Sequence, residues 1–462
     1  MRHLGSATLS IKMPPENDPD SDESSSLSRR TLLAGSLRTA LGTACLATLD
    51  TAFAQSGIEL PTSSRELWQW VRTQPVTDAR IAWLDTANGC PTLRGAMASE
   101  YRSREIQSAE LASRIANGFW STESQRMATR FAAFTGCEPD EILFTRGAGE
   151  ALSTVAAGLD LVSGDEVITT QQEHPAALSP WLFQARRRGI VVKQVDLPVP
   201  MSGPEQALGL LLGAVTARTK VISFSHVQYG DGTVMPVKEL CQLARQRNIV
   251  TLVNGAQALG MLEFAIRDLG CDFYAANFHK WLAGSQGAGM LYVRREMLDR
   301  IWPLQPRGID ASPPVLTPTA AVGHETAPAT LHKLGNIVPY EWPALRGAEA
   351  ALDFHEQVGR TRIEARIREM AIYARMRLQQ IPGIEILTPG RPGLWAGILT
   401  FRAPSRPNAD IAAALARDNG VYVGSLDWPA EEGALRICPH IFNSHDEVER
   451  LLQGLQRELG KK

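Results

Sequence analysis

From Glu141 onward the sequence reads as an α/β protein with a mostly parallel sheet. Short β-branched and apolar runs alternate with segments long enough for crossover helices, and several runs end in glycine-rich or polar turns that open a helix. The strand candidates are Glu141-Ile-Leu-Phe-Thr, Glu166-Val-Ile-Thr-Thr, Ile190-Val-Val-Lys-Gln-Val, Lys220-Val-Ile-Ser-Phe, Ile249-Val-Thr-Leu-Val and Met290-Leu-Tyr-Val. A further apolar run, Asp272-Phe-Tyr-Ala-Ala-Asn, precedes the last of these and ends in a turn. Pro303 to Pro343 is rich in Pro, Thr and Ala without periodicity and reads as a loop-rich exit from this domain. Leu345 to Gln380 predicts a long, broken helical region, and Ile384 to Lys462 a small α+β domain. Its last helix opens on Ser444-His-Asp-Glu447, a capping-box pattern, and continues through Val448, Leu451, Leu452 and Leu455 at helical spacing.

A chain of 462 residues can bury a large core and form two domains. With 47 basic and 49 acidic residues the net charge is −2, and no long basic run follows the N-terminus, so a nucleic-acid surface is not expected. No stretch of about twenty uncharged apolar residues occurs, which argues against a permanent membrane span.

Residues 1–54 differ in kind from the rest. Pro14 to Ser28 is acidic and serine-rich and reads as disordered. Ser28-Arg-Arg-Thr-Leu-Leu, a moderately apolar stretch to Leu49, and Ala52-Phe-Ala54 together predict a twin-arginine export signal cleaved after Ala54. The expected location is therefore periplasmic or secreted, reached in folded form through the twin-arginine machinery. Cys90, Cys137, Cys241, Cys271 and Cys438 remain in the mature chain; they are well separated, lack any C-x-x-C spacing, and read as core residues. Folding in the reducing cytosol before export suits that reading. No clustered Cys/His pattern has metal-ligand spacing, so no metal is expected. The expected divisions are a signal segment 1–54, an N-terminal arm 55–84, a large domain 85–335 and a small domain 336–462.

The most informative residue is Lys280, in Asp272-Phe-Tyr-Ala-Ala-Asn-Phe-His-Lys-Trp-Leu-Ala-Gly, ahead of Gly287-Ala-Gly-Met-Leu-Tyr-Val. A lysine on a bare sheet surface would be a solvated charge. Here an imidazole precedes it, an indole follows it, and nearby glycines allow close backbone approach. A partly desolvated amine has a lowered pKa and can form a Schiff base, which points to pyridoxal phosphate on Lys280.

Three further segments stand at strand ends. Thr145-Arg-Gly-Ala-Gly-Glu-Ala-Leu has the form of a phosphate cradle, because free backbone N–H groups and the helix dipole favour an anion. Glu173-His-Pro-Ala-Ala-Leu-Ser-Pro-Trp places a histidine at a helix start, and Leu252-Val-Asn-Gly-Ala-Gln-Ala-Leu-Gly follows another strand. In this order and spacing, the four segments resemble class V of the fold-type-I pyridoxal-phosphate enzymes. Asn-x-His-Lys-Trp and the ending Leu435-Arg-Ile-Cys-Pro-His-Ile-Phe-Asn look most like the isopenicillin N epimerase-like branch. The resemblance covers about Leu84 to Leu455.

The resemblance implies a fold-type-I architecture: a large domain with a mostly parallel seven-stranded sheet flanked by helices, plus a smaller C-terminal α+β domain, assembled as a homodimer. It implies that Lys280 holds the cofactor and moves the α-proton of an amino acid or peptide-like amine, in an epimerase, aminotransferase or lyase. Ala148 and Gly149 would offer N–H groups to the phosphate, with Asn277 and His279 adding side-chain contacts. His174 would stack on the pyridine ring and Gln257 would bond its hydroxyl. Arg436 would clamp the substrate carboxylate with its planar fork, beside Asn88.

Three departures qualify the resemblance. Asn254 stands where these enzymes place an aspartate against the pyridine nitrogen, and an amide cannot supply the charge that keeps that nitrogen protonated. The alternative expectation is therefore an exported protein that binds the cofactor with little or no catalysis. Val423-Gly-Ser-Leu-Asp-Trp428, the counterpart of the desulfurase cysteine loop, holds no thiol, and Tyr229 replaces the asparagine that desulfurases place beside the ring hydroxyl.

Overall fold

Apolar residues in both registers of a strand require burial on both faces, and the strands of the large sheet are almost wholly buried except the edge strand Val191–Val195, which is partly exposed. A computed structural model describes residues 60–112, 119–302, 304, 338–403, 406–428 and 432–460. The export signal expected in residues 1–54, and most of the loop-rich stretch expected over 303–343, lie outside the described residues. Within that stretch a helix begins at Val338 and carries Pro343 inside it.

The strands in chain order are β1 (Ala82–Trp83), β2 (Ile142–Thr145), β3 (Glu166–Thr170), β4 (Val191–Val195), β5 (Thr219–Ser225), β6 (Val250–Asn254), β7 (Phe273–Asn277), β8 (Gly289–Val293), β9 (Glu385–Ile386), β10 (Leu399–Arg402), β11 (Val421–Tyr422), β12 (Gly424–Leu426) and β13 (Ala434–Ile437). Seven of them form one sheet in the order β2-β8-β7-β6-β5-β3-β4. The pairs β3/β4, β3/β5, β5/β6 and β6/β7 are parallel, whereas β8 runs antiparallel to both β7 and β2. The connection from β7 to β8 is too short for a crossover helix, so the chain reverses there. Lys280 lies in that reversal.

One face of the sheet buries Leu143, Val167, Leu252, Phe273, Ala275 and Leu291 against the helices Ala148–Gly158 and Pro175–Arg188. The other buries Phe144, Ile168, Phe224, Val253, Tyr274 and Met290 with Phe131, Leu240 and Leu345 from three further helices. Neighbouring residues of β7 thus serve opposite cores, each buried aliphatic or aromatic side chain contributing roughly 1.5–3 kcal/mol of burial.

A second sheet, antiparallel in the order β12-β13-β10-β9, carries the helices Arg360–Leu378, Asn408–Asn419 and His445–Gly460. The expected long helical region is two helices, broken at Gly359, whose φ is +96°. In the last helix Ser444 Oγ accepts from Glu447 N at 3.3 Å while Glu447 Oε2 accepts from Ser444 N at 2.7 Å, and Val448, Leu451, Leu452 and Leu455 are buried. Four of the five described cysteines are buried and none is paired. Among the described residues no helix is long and apolar enough to cross a membrane.

Candidate active site

The C-terminal ends of β3, β5, β6 and β7 face one crevice, where ligands of open α/β sheets are held. Lys280 leaves the end of β7, and the cavity around it is lined by Ala148, Gly149, Leu152, His174, Ala176, Ser225, Tyr229, Asn254, Ala256, Gln257 and Asn277. Seven of the ten site residues expected from sequence thus converge. His279, Arg436 and Asn88 do not line this cavity.

The lysine turn is held from two sides. Gly260, with φ +89°, packs directly on the backbone of Trp281 and Leu282, leaving no space for a side chain. From the N-terminal segment, Cys90 N donates to His279 O at 3.0 Å and Leu93 N to Ala283 O at 3.1 Å. Burial lowers the Lys280 pKa to about 8; the Arg436 cation pushes the same way, and Asp85 opposes it. The amine is thus half uncharged at about pH 8, where an ordinary lysine is almost wholly charged, which makes it a nucleophile.

The chain commits several expected ligand contacts internally. Ala148 N donates to Asn277 Oδ1 at 2.7 Å, so this cradle N–H, expected on a phosphate, is already satisfied within the protein. Asn277 therefore acts first by tying the helix Ala148–Gly158 to β7, with its amide nitrogen left for a ligand. A side chain at Gly289 would meet Ala276 O at 2.5 Å and Gly147 Cα at 2.6 Å, which shows how tightly the cradle sits on β8.

His174 is the N-cap of the helix Pro175–Arg188: its Nδ1 accepts from Ala176 N at 3.1 Å. Nδ1 must then be unprotonated, with the hydrogen on Nε2. Partial burial lowers the His174 pKa, and the nearby Lys280 and Arg436 cations add to that shift. Capping and a ring presented to the cavity are compatible, and the ring meets Tyr229 edge-on at 5.1 Å.

Gln257 is held at both ends. Its Nε2 donates to Ala87 O at 2.9 Å and its Oε1 accepts from Trp281 Nε1 at 2.8 Å. Only its second N–H hydrogen is left for a ring hydroxyl. Asn254 accepts from Ala256 N at 3.1 Å through Oδ1 and donates through Nδ2 to Ser225 Oγ at 3.3 Å.

The substrate end of the site is paired internally. Arg436 is not an open fork: Nη2 is paired with Asp85 Oδ1 at 2.8 Å, Nη1 donates to Tyr229 O at 2.9 Å, and Nε has no hydrogen-bond partner. Both members of the pair are buried. Asn88 is exposed, and its backbone N–H donates to Asp85 O at 3.1 Å. Asp85, not Asn88, is the residue of this segment that meets the arginine. Sequence reading passed over Asp85, Glu173 and Ser225; the one available signal was an acidic residue at the end of a short apolar run, Ile81-Ala-Trp-Leu.

These groups fit pyridoxal phosphate. A desolvated amine, Lys280, stands among the polar side chains of His174, Ser225, Tyr229, Asn254, Gln257 and Asn277; His279 Nδ1, outside that lining, is a buried polar atom without a partner. Lys280 would hold the aldehyde carbon, with Gly149, Asn277, His174, Asn254 and Gln257 around the ring and phosphate. When bound, the cofactor supplies an electron sink for a bond broken at the α-carbon of an amine.

The family model for class V aminotransferases matches residues 97–451. Isopenicillin N epimerase of Amycolatopsis lactamdurans is 32% identical over 344 residues, covering 72% of this chain and 84% of that relative. The epimerase of Streptomyces clavuligerus is 28% identical over 85% of this chain and 99% of its own length. A probable cysteine desulfurase of Halalkalibacterium halodurans is 29% identical, covering 69% of this chain and 77% of that relative. Among solved structures, a C-DES mutant with glycine covalently linked to its PLP cofactor superposes with a TM-score of 0.72 at 22% identity, covering 86% of this chain and 99% of that one. At that identity the likeness speaks for the fold, an α/β fold of type I with a small antiparallel domain. The chain belongs to the class V aminotransferase family, and its cofactor is pyridoxal 5'-phosphate.

Proposed function

We propose that this protein acts on the amino group or α-carbon of an amino acid or peptide-like amine, with Lys280 as both cofactor anchor and α-proton carrier. The observation that carries the reading is the Lys280 amine, whose pKa is lowered to about 8 by burial inside a cavity walled by polar side chains. An amine of that pKa takes and returns a proton near neutral pH. Among epimerase, aminotransferase and lyase chemistries, the epimerase relatives and their coverage favour epimerisation. A persulfide route has little support, since Gly424–Leu426 carries Ser425 and no thiol, and Cys438 is buried.

The proposal includes export as a folded protein, supported by the paired arginines Arg29 and Arg30 ahead of an apolar stretch. It also includes a homodimer. Met97 and Tyr101, 47% and 68% exposed on the helix Arg94–Ala109, are apolar surface that a second subunit would cover.

The test begins with visible absorbance of the purified protein before and after borohydride, and peptide mapping of the reduced adduct. The adduct is expected on Lys280 and absent from Lys280→Ala. Amino acids incubated with the holoenzyme in D2O should then exchange the α-proton; exchange with racemisation and no keto acid identifies an epimerase, and keto acid a transaminase. Asn254 favours one rival, cofactor binding without turnover. That rival predicts the adduct with no exchange for any amine tried.

A further inference from the structure

Pyridoxal phosphate works as an electron sink when a protein group supports charge on its pyridine nitrogen, and a carboxylate is a usual partner. Among the described residues no carboxylate lines the cavity around Lys280. Asp85, close by, is already neutralised by Arg436. A further buried acid bonds a lining residue: Glu173, at the turn after β3, is 4% exposed and is held by Ser225. Its Oε2 accepts from Ser225 Oγ at 2.6 Å and its Oε1 from Ser225 N at 2.6 Å, with Thr170 Oγ1 at 3.5 Å. Ser225 Oγ in turn accepts from Asn254 Nδ2 at 3.3 Å. Glu173, Ser225 and Asn254 therefore form a continuous line from an acid to the cavity wall.

We propose that Glu173 is the carboxylate that serves the cofactor's pyridine nitrogen in this chain, acting at one remove through Ser225 and Asn254. It is a positioning residue. With Glu173 ionised, the Ser225 hydroxyl hydrogen is committed to the carboxylate, so Ser225 Oγ can only accept from Asn254 Nδ2. The Ala256 N–H fixes the other end of the same amide. Asn254 thus has one orientation, with an anion two hydrogen bonds behind it. The inference rests on the cofactor occupying the Lys280 cavity.

Two features of Glu173 make sense on this reading. The groups that bond it are neutral donors, Ser225 and Thr170, so its charge is not cancelled by a cation. Burial raises its pKa to about 7 against the pull of those donors and Asn254. The neighbouring His174 ring is turned to Ala176 N, and the helix N-terminus it caps favours a negative charge behind it. A buried, unpaired carboxylate costs stability, and a residue serving only to tie β3 to β5 could be a glutamine.

The experiment uses the holoenzyme reconstituted with ring-15N-labelled pyridoxal phosphate, whose nitrogen chemical shift distinguishes a protonated ring from a neutral one. At pH 8, wild-type protein is expected to show the protonated ring. Glu173→Gln should move the signal toward the neutral ring and weaken cofactor affinity roughly tenfold or more, the size of a hydrogen bond to a charged group. Asn254→Asp, which puts a carboxylate on the cavity wall itself, should restore the protonated signal in the Glu173→Gln background. An identical nitrogen signal in wild type and Glu173→Gln, both loaded, overturns the inference. Should Glu173→Gln not fold, Ser225→Ala cuts the same line while keeping the acid, and an unchanged signal there overturns it equally. A wild-type protein that takes up no pyridoxal phosphate overturns the cofactor assignment itself, a separate result from a loaded protein with an unmoved nitrogen.

Discussion

Lys280 draws its reactivity from burial first and from two opposed charges second. The deprotonated amine is the nucleophile, so capture of pyridoxal phosphate by apoprotein should rise with pH through a midpoint near 8, below the 10.5 of an ordinary lysine. Arg436→Met removes the cation that lowers this pKa and leaves the Asp85 anion, so the midpoint should move up. Asp85→Asn removes the anion and leaves the cation, so it should move down. Stopped-flow absorbance across pH 6–10, a range of roughly two units either side of the midpoint, reads all three; equal midpoints would contradict the electrostatic account. Asp85→Asn also strands a buried guanidinium and should cost about 3–5 kcal/mol in urea unfolding. A substrate carboxylate reaching Arg436 meets the same competition, because Asp85 already holds Nη2.

At the scale of elements, the site depends on two close approaches. The segment after β6 lies on the lysine turn at Gly260, and the cradle lies on β8 at Gly289. Gly260→Ala adds a methyl where φ is +89° and backbone atoms already touch, so roughly 2–5 kcal/mol of strain and overpacking is expected. Because the atoms met are the Trp281 carbonyl carbon and the Leu282 N and Cα, on the Lys280 turn, cofactor affinity should fall along with stability. Outside the cavity lining, Ser444→Ala should cost about 1 kcal/mol through the lost cap of the last helix and leave cofactor binding unchanged. Denaturant midpoints and cofactor titration on the two variants separate these outcomes.

The two sheets are tied together by hydrogen bonds between their loops. Thr388 Oγ1 donates to Asp231 O at 2.7 Å and Val234 N to Leu394 O at 2.7 Å, which ties the loop after β5 to the C-terminal half of the chain. The N-terminal segment closes the arrangement, since β1 pairs with β11 and Cys438 N donates to Leu84 O at 2.7 Å. Asp85 and Arg436 are brought together in this way. At this scale export is the open proposal: replacing Arg29 and Arg30 by lysine should leave full-length protein in the cytoplasm, whereas the parent should appear outside it with Gln55 as its first residue. Cell fractionation and intact mass decide it, and equal export of both proteins would count against a twin-arginine route.

What the sequence determined alone is what local pattern can carry. Seven apolar runs became the seven strands of the large sheet because apolar residues in both registers over four to seven residues suffice to specify a strand between two cores, with β4, at the sheet edge, left partly exposed. Ser444 and Glu447 specified a helix start because the cap is satisfied within one turn. Lys280 was legible from its flanking residues, and His174, Asn254 and Gln257 through the resemblance of their segments to class V enzymes; all four lie at or just after strand ends, which converge in a parallel sheet. The tertiary structure decided the partners. Asp85 with Arg436, Glu173 with Ser225, and Asn277 with Ala148 join residues 351, 52 and 129 positions apart. No local period encodes such pairs, since each arises only when separate strands are brought to one crevice, where buried polar groups must find partners.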